Sequence, residues 1–261
     1  SQDAVIASWW DYGYWITTLS ERTTLVDNAT LIDWQIKKMG YTLITTPENS
    51  WHILSSDYTQ DISSYLGNEN ILKFGGELEF EFNKNYLEKY GTSCEQIFKN
   101  EAQKLNIVEQ SCNPITKGMD ADYLLIYLAG ERFYSGTSTP FYTLEGGGDE
   151  SKKTWYTAIS NHQVSKFIQD DNITPTDYYM ENSTLGMLTP FTIFKYVEAN
   201  TGRTFNEYQS GLIPVYIHDL KLKDPENDPF YLVYASPSFY SQTEGAMSAV
   251  LIYKINHDYN S

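Results

Sequence analysis

The stretch Ala121-Asp122-Tyr123-Leu124-Leu125-Ile126-Tyr127-Leu128-Ala129 is, Asp122 apart, a continuous apolar run rich in β-formers. It predicts a buried strand in the middle of the chain. Downstream, Ile213–Leu222, Pro229–Ala235 and Met247–Asn256 alternate apolar and polar residues around turn clusters such as Asp224-Pro225-Glu226-Asn227, a pattern that predicts antiparallel sheet. Upstream the period changes. Ser8 with Asp11 has the spacing of a capping box, opening a helix through Tyr14, Trp15, Ile16 and Leu19. Thr30 with Asp33 repeats the signal, and Leu31, Trp34, Ile36 and Met39 follow before Gly40, which is expected to end that helix.

The remaining segments are mixed. Residues 41–75 are turn-rich, Glu77–Phe82 alternates strictly as a half-buried strand does, and a helix is expected over Ser93–Asn106. After a loop ending in Gly146-Gly147-Gly148, helical pattern runs from Glu150 to Gln169, and a further helix kinked near Pro190 is expected over Thr184–Ala199. The expectation is an α+β fold. Residues 1–57 and 119–205 make a mainly α-helical core, 58–118 a mixed α/β insertion, and 206–261 a β-rich C-terminal part of antiparallel strands.

Composition narrows the function. The chain has 261 residues, 41% hydrophobic and 20% charged, as a folded protein does. A net charge of -16 repels phosphate over most of the surface, so nucleic acid is not an expected partner. No apolar run approaches the roughly 20 residues that cross a bilayer, and the start at Ser1 without a signal peptide suggests a fragment or a processed chain. His52, His162, His218 and His257 lack metal-ligand spacing, so no metal site is expected in this chain. Gly146-Gly147-Gly148 lacks the Lys-Ser/Thr of a phosphate loop, and Asp120/Asp122 and Asp170/Asp171 read as solvated surface. Cys94 and Cys112 are either a disulfide or two buried thiols. Three Asn-x-Ser/Thr triplets begin at Asn28, Asn172 and Asn182, which are glycan acceptors only outside the cytoplasm.

The most informative local feature is Trp9-Trp10-Asp11-Tyr12-Gly13. Neighbours on a helix point about 100° apart, so two adjacent tryptophans cannot both face a core from one stripe. Each indole offers one N–H donor and an ionised carboxylate only accepts, whereas a hydroxyl has one hydrogen and two lone pairs. Two indoles and one carboxylate therefore match a Ser or Thr side chain. The other reading is structural: Asp11 caps the helix while Trp9 and Trp10 pack against Tyr14 and Trp15.

The run Ser8-Trp9-Trp10-Asp11-Tyr12-Gly13-Tyr14-Trp15-Ile16 resembles the WWDYG signature of oligosaccharyltransferase catalytic subunits, with flanks of the archaeal type. Arg22–Thr30 resembles the family's continuation. Asp149-Glu150-Ser151-Lys152-Lys153-Thr154-Trp155-Tyr156 is similar to its second short motif, in which Asp is followed three positions on by Lys and four after that by Met or Ile. Tyr156 stands where Met or Ile is usual. On a helix, Lys152 and Tyr156 would share a face. Weaker matches are Ala121–Ile126, Asn182–Gly186 and Val250–Ile255, while Tyr58–Gly118 matches nothing and reads as a lineage-specific insertion.

The resemblance implies the extracytoplasmic C-terminal domain of a membrane glycosyltransferase, anchored by transmembrane segments upstream. It implies that Trp9, Trp10 and Asp11 bind the Ser/Thr hydroxyl of an Asn-x-Ser/Thr acceptor peptide, with Lys152, Asp149 and Tyr156 completing the pocket. The donor is a lipid-linked oligosaccharide, transferred to Asn in protein N-glycosylation. A divalent metal (Mn or Mg) and the catalytic carboxylates belong mainly outside this chain, so no catalytic residue is expected within it and the isolated domain is expected to be inactive. Two other classes fit the residues. The 22 tyrosines and six tryptophans with acidic groups suit a secreted or cell-surface carbohydrate-binding or surface-layer module, and paired carboxylates suit a secreted glycosidase.

Overall fold

A computed structural model of the chain describes residues 3–27, 33–75, 114–144 and 146–259. The expected strand Glu77–Phe82, the helix over Ser93–Asn106, both cysteines, Asn28 and the Thr30 cap lie outside the described residues. The fold is α+β, built on a mixed sheet with nine strands among the described residues. In chain order the strands are β1 (Val5–Ala7), β2 (Thr23–Thr24), β3 (Tyr123–Phe133), β4 (Phe141–Thr143), β5 (Phe191–Glu198), β6 (Thr204–Phe205), β7 (Leu212–His218), β8 (Phe230–Ala235) and β9 (Gly245–Ile255).

β3 organises the rest. One of its edges pairs antiparallel with β9 along almost its whole length, from Tyr123 opposite Lys254 to Arg132 opposite Gly245. The other edge is shared: β1 runs parallel to its start, with Ile6 opposite Tyr123, and β4 antiparallel to its end, with Phe133 opposite Phe141. Between those two partners a gap is left along β3.

The central run is a strand, but not one buried on both faces. Leu124, Ile126 and Leu128 are buried, whereas Tyr123, Leu125 and Tyr127 are only half-buried. The first set joins Met39, Leu43, Ile53 and Leu54 in one core with the helices α2 (Asp33–Ile44) and α3 (Pro47–Ser55). The second lines a groove of 680 Å³ with Tyr12, Trp15, Tyr234 and Ile252, which is why both faces of the run are apolar.

Several local expectations are overturned. Gly40 does not end α2, which continues to Ile44; a Cβ there would lie 2.9 Å from Ile159 Cδ1, so the glycine lets two helices approach. The helical stretch expected from Glu150 to Gln169 is a 3₁₀ turn (Glu150–Lys152) and two short helices (Lys153–Ile159 and Val164–Phe167). Thr184–Ala199 is a helix only to Leu188. Ser183 Oγ accepts from the Gly186 N–H at its start, Pro190 follows its end, and Phe191-Thr192-Ile193-Phe194-Lys195-Tyr196-Val197-Glu198 is strand β5, in keeping with its β-branched and aromatic content.

Strands from 1–57, from 119–205 and from 206–261 share one sheet, so sheet and helices together make the core that carries the site. The described base of the 58–118 segment is closed by a bridge between Asp61 and Lys117, with Ile62 N–H donating to Thr116 O at 2.8 Å. Among the described residues no helix is long and apolar enough to cross a membrane.

Candidate functional site

α1 (Trp10–Trp15) starts one residue later than a Ser8 cap would place it. Ser8 Oγ donates to Trp9 O at 3.2 Å instead, and Trp9 occupies the cap position with extended backbone and no side-chain cap. The capping box is therefore not formed and Asp11 is released from that role. The extended Trp9 also breaks the 100° rule, because only Trp10 has entered the helix. Trp9 is buried, 6.3 Å from the half-buried ring of Trp10, 5.0 Å from Trp155 and 4.5 Å from Tyr156. Both indole nitrogens are covered, and neither N–H has a hydrogen-bond partner among the described residues. Such orphans are uncommon, since a buried donor left unmade costs about 1–3 kcal/mol.

Gly13 fixes where this turn lies. A Cβ on it would sit 2.3 Å from Val26 O and 2.6 Å from Asp27 Cα, so only glycine lets α1 rest on the 26–27 backbone.

Asp11 Oδ2 accepts from Lys152 Nζ at 2.5 Å across 141 residues of chain. The two side chains remain 33% and 20% exposed, Asp11 the more open. The ammonium also donates to the Tyr12 hydroxyl at 3.2 Å. Tyr12 donates in turn to Asp149 Oδ1 at 3.2 Å, an oxygen that also accepts from Tyr156 at 2.7 Å. Five residues of the two motifs, Asp11, Tyr12, Asp149, Lys152 and Tyr156, thus form one connected polar cluster.

Asp149 occupies the gap in the sheet. Its backbone N–H donates to Tyr127 O and its Oδ2 accepts from the Tyr127 N–H, both at 2.7 Å, so one residue stands in for the missing strand between β1 and β4. Gly148 allows this, because a Cβ there would fall 2.7 Å from both Tyr127 O and Ala129 N. Burial pushes the Asp149 carboxyl up to about 6, against the pull of the Tyr127 N–H, the Tyr156 hydroxyl, the Lys152 charge and the Tyr12 hydroxyl. Burial first, and then the Asp149 carboxylate, raise Tyr12 and Tyr156, so both phenols stay protonated as donors.

The structure brings Trp9, Trp10, Asp11, Lys152, Asp149 and Tyr156 together, but Lys152 and Tyr156 do not share a helix face. Lys152 closes a 3₁₀ turn, and Tyr156 does not share its outlook: it is fully buried with its hydroxyl on Asp149. The open aromatic of that helix is Trp155, 45% exposed and edge-on to Trp9. Two further participants were not anticipated. Tyr12 lay inside the quoted motif without an assigned role, and Tyr127 carries no sequence signal, since its part is played by backbone. Nor was the buried pair behind the site, Lys153 Nζ to Glu150 Oε1 at 2.8 Å.

Residues 1–108 match the STT3/PglB/AglB core domain. The similarity to that family covers the N-terminal part of the chain, less than half of its length. It is 36% identical over 76 residues to the dolichyl-diphosphooligosaccharide–protein glycosyltransferase subunit STT3 of Saccharomyces cerevisiae, a match covering 29% of this chain and 10% of that protein. Against subunit STT3B of Oryza sativa it is 41% identical over 54 residues, 21% of this chain and 8% of that one. The Dictyostelium discoideum STT3 gives 41% over 51 residues, 20% and 7%. The chain thus matches a tenth or less of the length of these STT3 relatives. The crystal structure of the C. jejuni PglB C-terminal domain aligns over 98% of this chain and 94% of its own at 13% identity and a TM-score of 0.31, a likeness too loose to equate the two folds.

Proposed function

We propose that this STT3-like domain reads the hydroxyl of the acceptor triplet Asn-x-Ser/Thr and holds the peptide while a lipid-linked oligosaccharide is transferred to its Asn. The observation that carries the reading is the cluster at α1: Lys152 fixed on Asp11, next in sequence to two buried indole N–H groups that have no partner among the described residues. A hydroxyl oxygen accepts from the Trp9 and Trp10 N–H groups, and its proton is donated to Asp11, whose second oxygen is left by Lys152. Trp10, the less buried ring, moves aside as the peptide arrives. A site that pairs the hydroxyl so completely rejects an analogue lacking it by on the order of 10⁴-fold. Asp149 and Tyr156 act behind the pocket: Asp149 ties Tyr12 to β3, and Tyr156 braces Trp9.

Binding serves the transfer by positioning the acceptor. The chain works on the extracytoplasmic face as part of a longer membrane protein, which supplies the donor site and a divalent metal. The part proposed for the residues of this cluster is to bind and orient the acceptor.

The test is Asp11→Ala in the full-length protein, assayed for glycosylation of an Asn-x-Thr peptide. Turnover is expected to fall at least a hundredfold, and the 261-residue chain alone is expected to transfer nothing. Undiminished turnover in the variant removes Asp11 from acceptor recognition.

A further inference from the structure

Two of the chain's own acceptor triplets lie in described segments, and the fold closes them in different ways. In Asn182-Ser183-Thr184 the Asn is exposed at the end of the helix Asp177–Asn182, while Ser183 and Thr184 are wholly buried. Thr184 donates from both its hydroxyl and its backbone N–H to Thr45 O, each at 2.8 Å and across 139 residues. That seal is tertiary, so it is absent until residues 184 and 45 have docked. In Asn172-Ile173-Thr174 the Thr174 hydroxyl is bonded to Asp171 Oδ2 at 2.6 Å, with the Ile173 and Thr174 N–H groups on Asp171 Oδ1. This closure is local. The Asp171 bonds span only two and three residues, with Asn172 at φ +60° and Pro175 fixing the next φ, so they require no docking of a distant segment.

From this difference we propose that Asn182 is itself an N-glycosylation site, open only until the domain folds, and that Asn172 stays bare. The proposal rests on hydroxyl readout and on the extracytoplasmic placement argued above. The Asn182 carboxamide nitrogen forms a bond to the anomeric carbon of a lipid-pyrophosphate-linked oligosaccharide. The anomeric C–O bond breaks, the lipid pyrophosphate leaves with the electron pair, and one amide proton passes to base. The folded state tolerates the product. Asn182 is exposed, and the amide hydrogen that remains can keep the 3.2 Å bond from Nδ2 to Tyr178 O.

The test uses the full-length protein from a glycosylating host and a Ser135→Asn variant, which creates a triplet with Gly136 and Thr137 on an exposed loop. Chymotryptic peptides separate Asn172 from Asn182 at Tyr178 and Tyr179. The mass of one glycan is expected at Asn182 and at the new loop site, and none at Asn172. When folded, unmodified protein is given to membranes charged with lipid-linked oligosaccharide, the loop site is expected to be modified and Asn182 refused, while a peptide of residues 180–187 is accepted. A bare Asn182 beside an occupied loop site overturns the proposal alone. So does a glycan at Asn172, or one gained at Asn182 by folded protein. If neither Asn182 nor the loop site is occupied in the host, the extracytoplasmic placement fails and the proposal with it.

Discussion

Lys152 and Lys153 are neighbours, each held by a carboxylate, yet their pairs differ in kind. Lys152 reaches a distant Asp11, and both side chains keep a fifth to a third of their surface in water. Lys153 meets Glu150 three positions earlier, at 2% and 5% exposure, and donates to the Glu150 carbonyl as well. An open pair gains little because water screens it, so it can be rearranged when a ligand arrives. A sealed pair gains little over an apolar filling but is costly to break, because the surviving charge is stranded. The same turn and helix, Glu150–Lys152 and Lys153–Ile159, therefore carry a replaceable contact outward and a fixed one inward.

The sharpest way to break this contrast is to remove each lysine in turn. Lys153→Met leaves Glu150 buried without its cation and is expected to lower stability by about 3–5 kcal/mol, read from the urea midpoint. The pair Glu150→Met with Lys153→Met is expected to recover most of that loss. Lys152→Met is expected to cost less than about 1 kcal/mol. Equal losses from the two single variants would erase the distinction.

Asp149 stands between the pairs and supplies the next largest effect. Its folded carboxyl titrates near 6, above its ordinary value of 3.8, so the folded state holds the proton more tightly than the unfolded chain does. Its contribution to stability is then complete below about pH 4 and is lost as pH rises through 6, a change of about 3 kcal/mol. Asp149→Asn removes this titration. The stability difference between wild type and variant, followed by urea unfolding from pH 4 to 7, is expected to move by about that amount in favour of the variant as pH rises. A flat difference would mean that the cluster holds Asp149 ionised throughout.

What could be read without coordinates divides along similar lines. Trp9-Trp10-Asp11 and Lys152 could be singled out because their two motifs resemble a known signature; the chemistry of Trp9-Trp10-Asp11 alone left the structural reading open. The antiparallel tail and the central strand were legible from alternation and β-formers. The roles of Asp149 and Tyr156 were not, because they depend on a gap between β1 and β4 that exists only in the assembled sheet. Gly40 read as a stop because a glycine needed for contact with Ile159 and a glycine needed for a cap are the same letter. Residues 191–198 read as helix because the pattern after Thr184 was continued across Pro190, where β-branched and aromatic content should have ended it.

The smallest expected effect is the one that separates recognition from support. If the Asp11–Lys152 pair is a replaceable contact, Asp11→Ala should change folding stability by less than about 1 kcal/mol, since both partners are partly in water and the Lys152 ammonium keeps the Tyr12 hydroxyl as an acceptor. The same substitution is expected to remove at least a hundredfold of acceptor turnover. Those two readouts belong on one protein. A large loss of stability would make Asp11 a brace for α1 and explain lost turnover by unfolding, whereas intact stability with lost turnover leaves the carboxylate only its contact with the peptide. Thermal unfolding of the variant beside its assay decides which, and Gly13→Ala calibrates the brace outcome, because its Cβ cannot fit against Val26 O without moving α1.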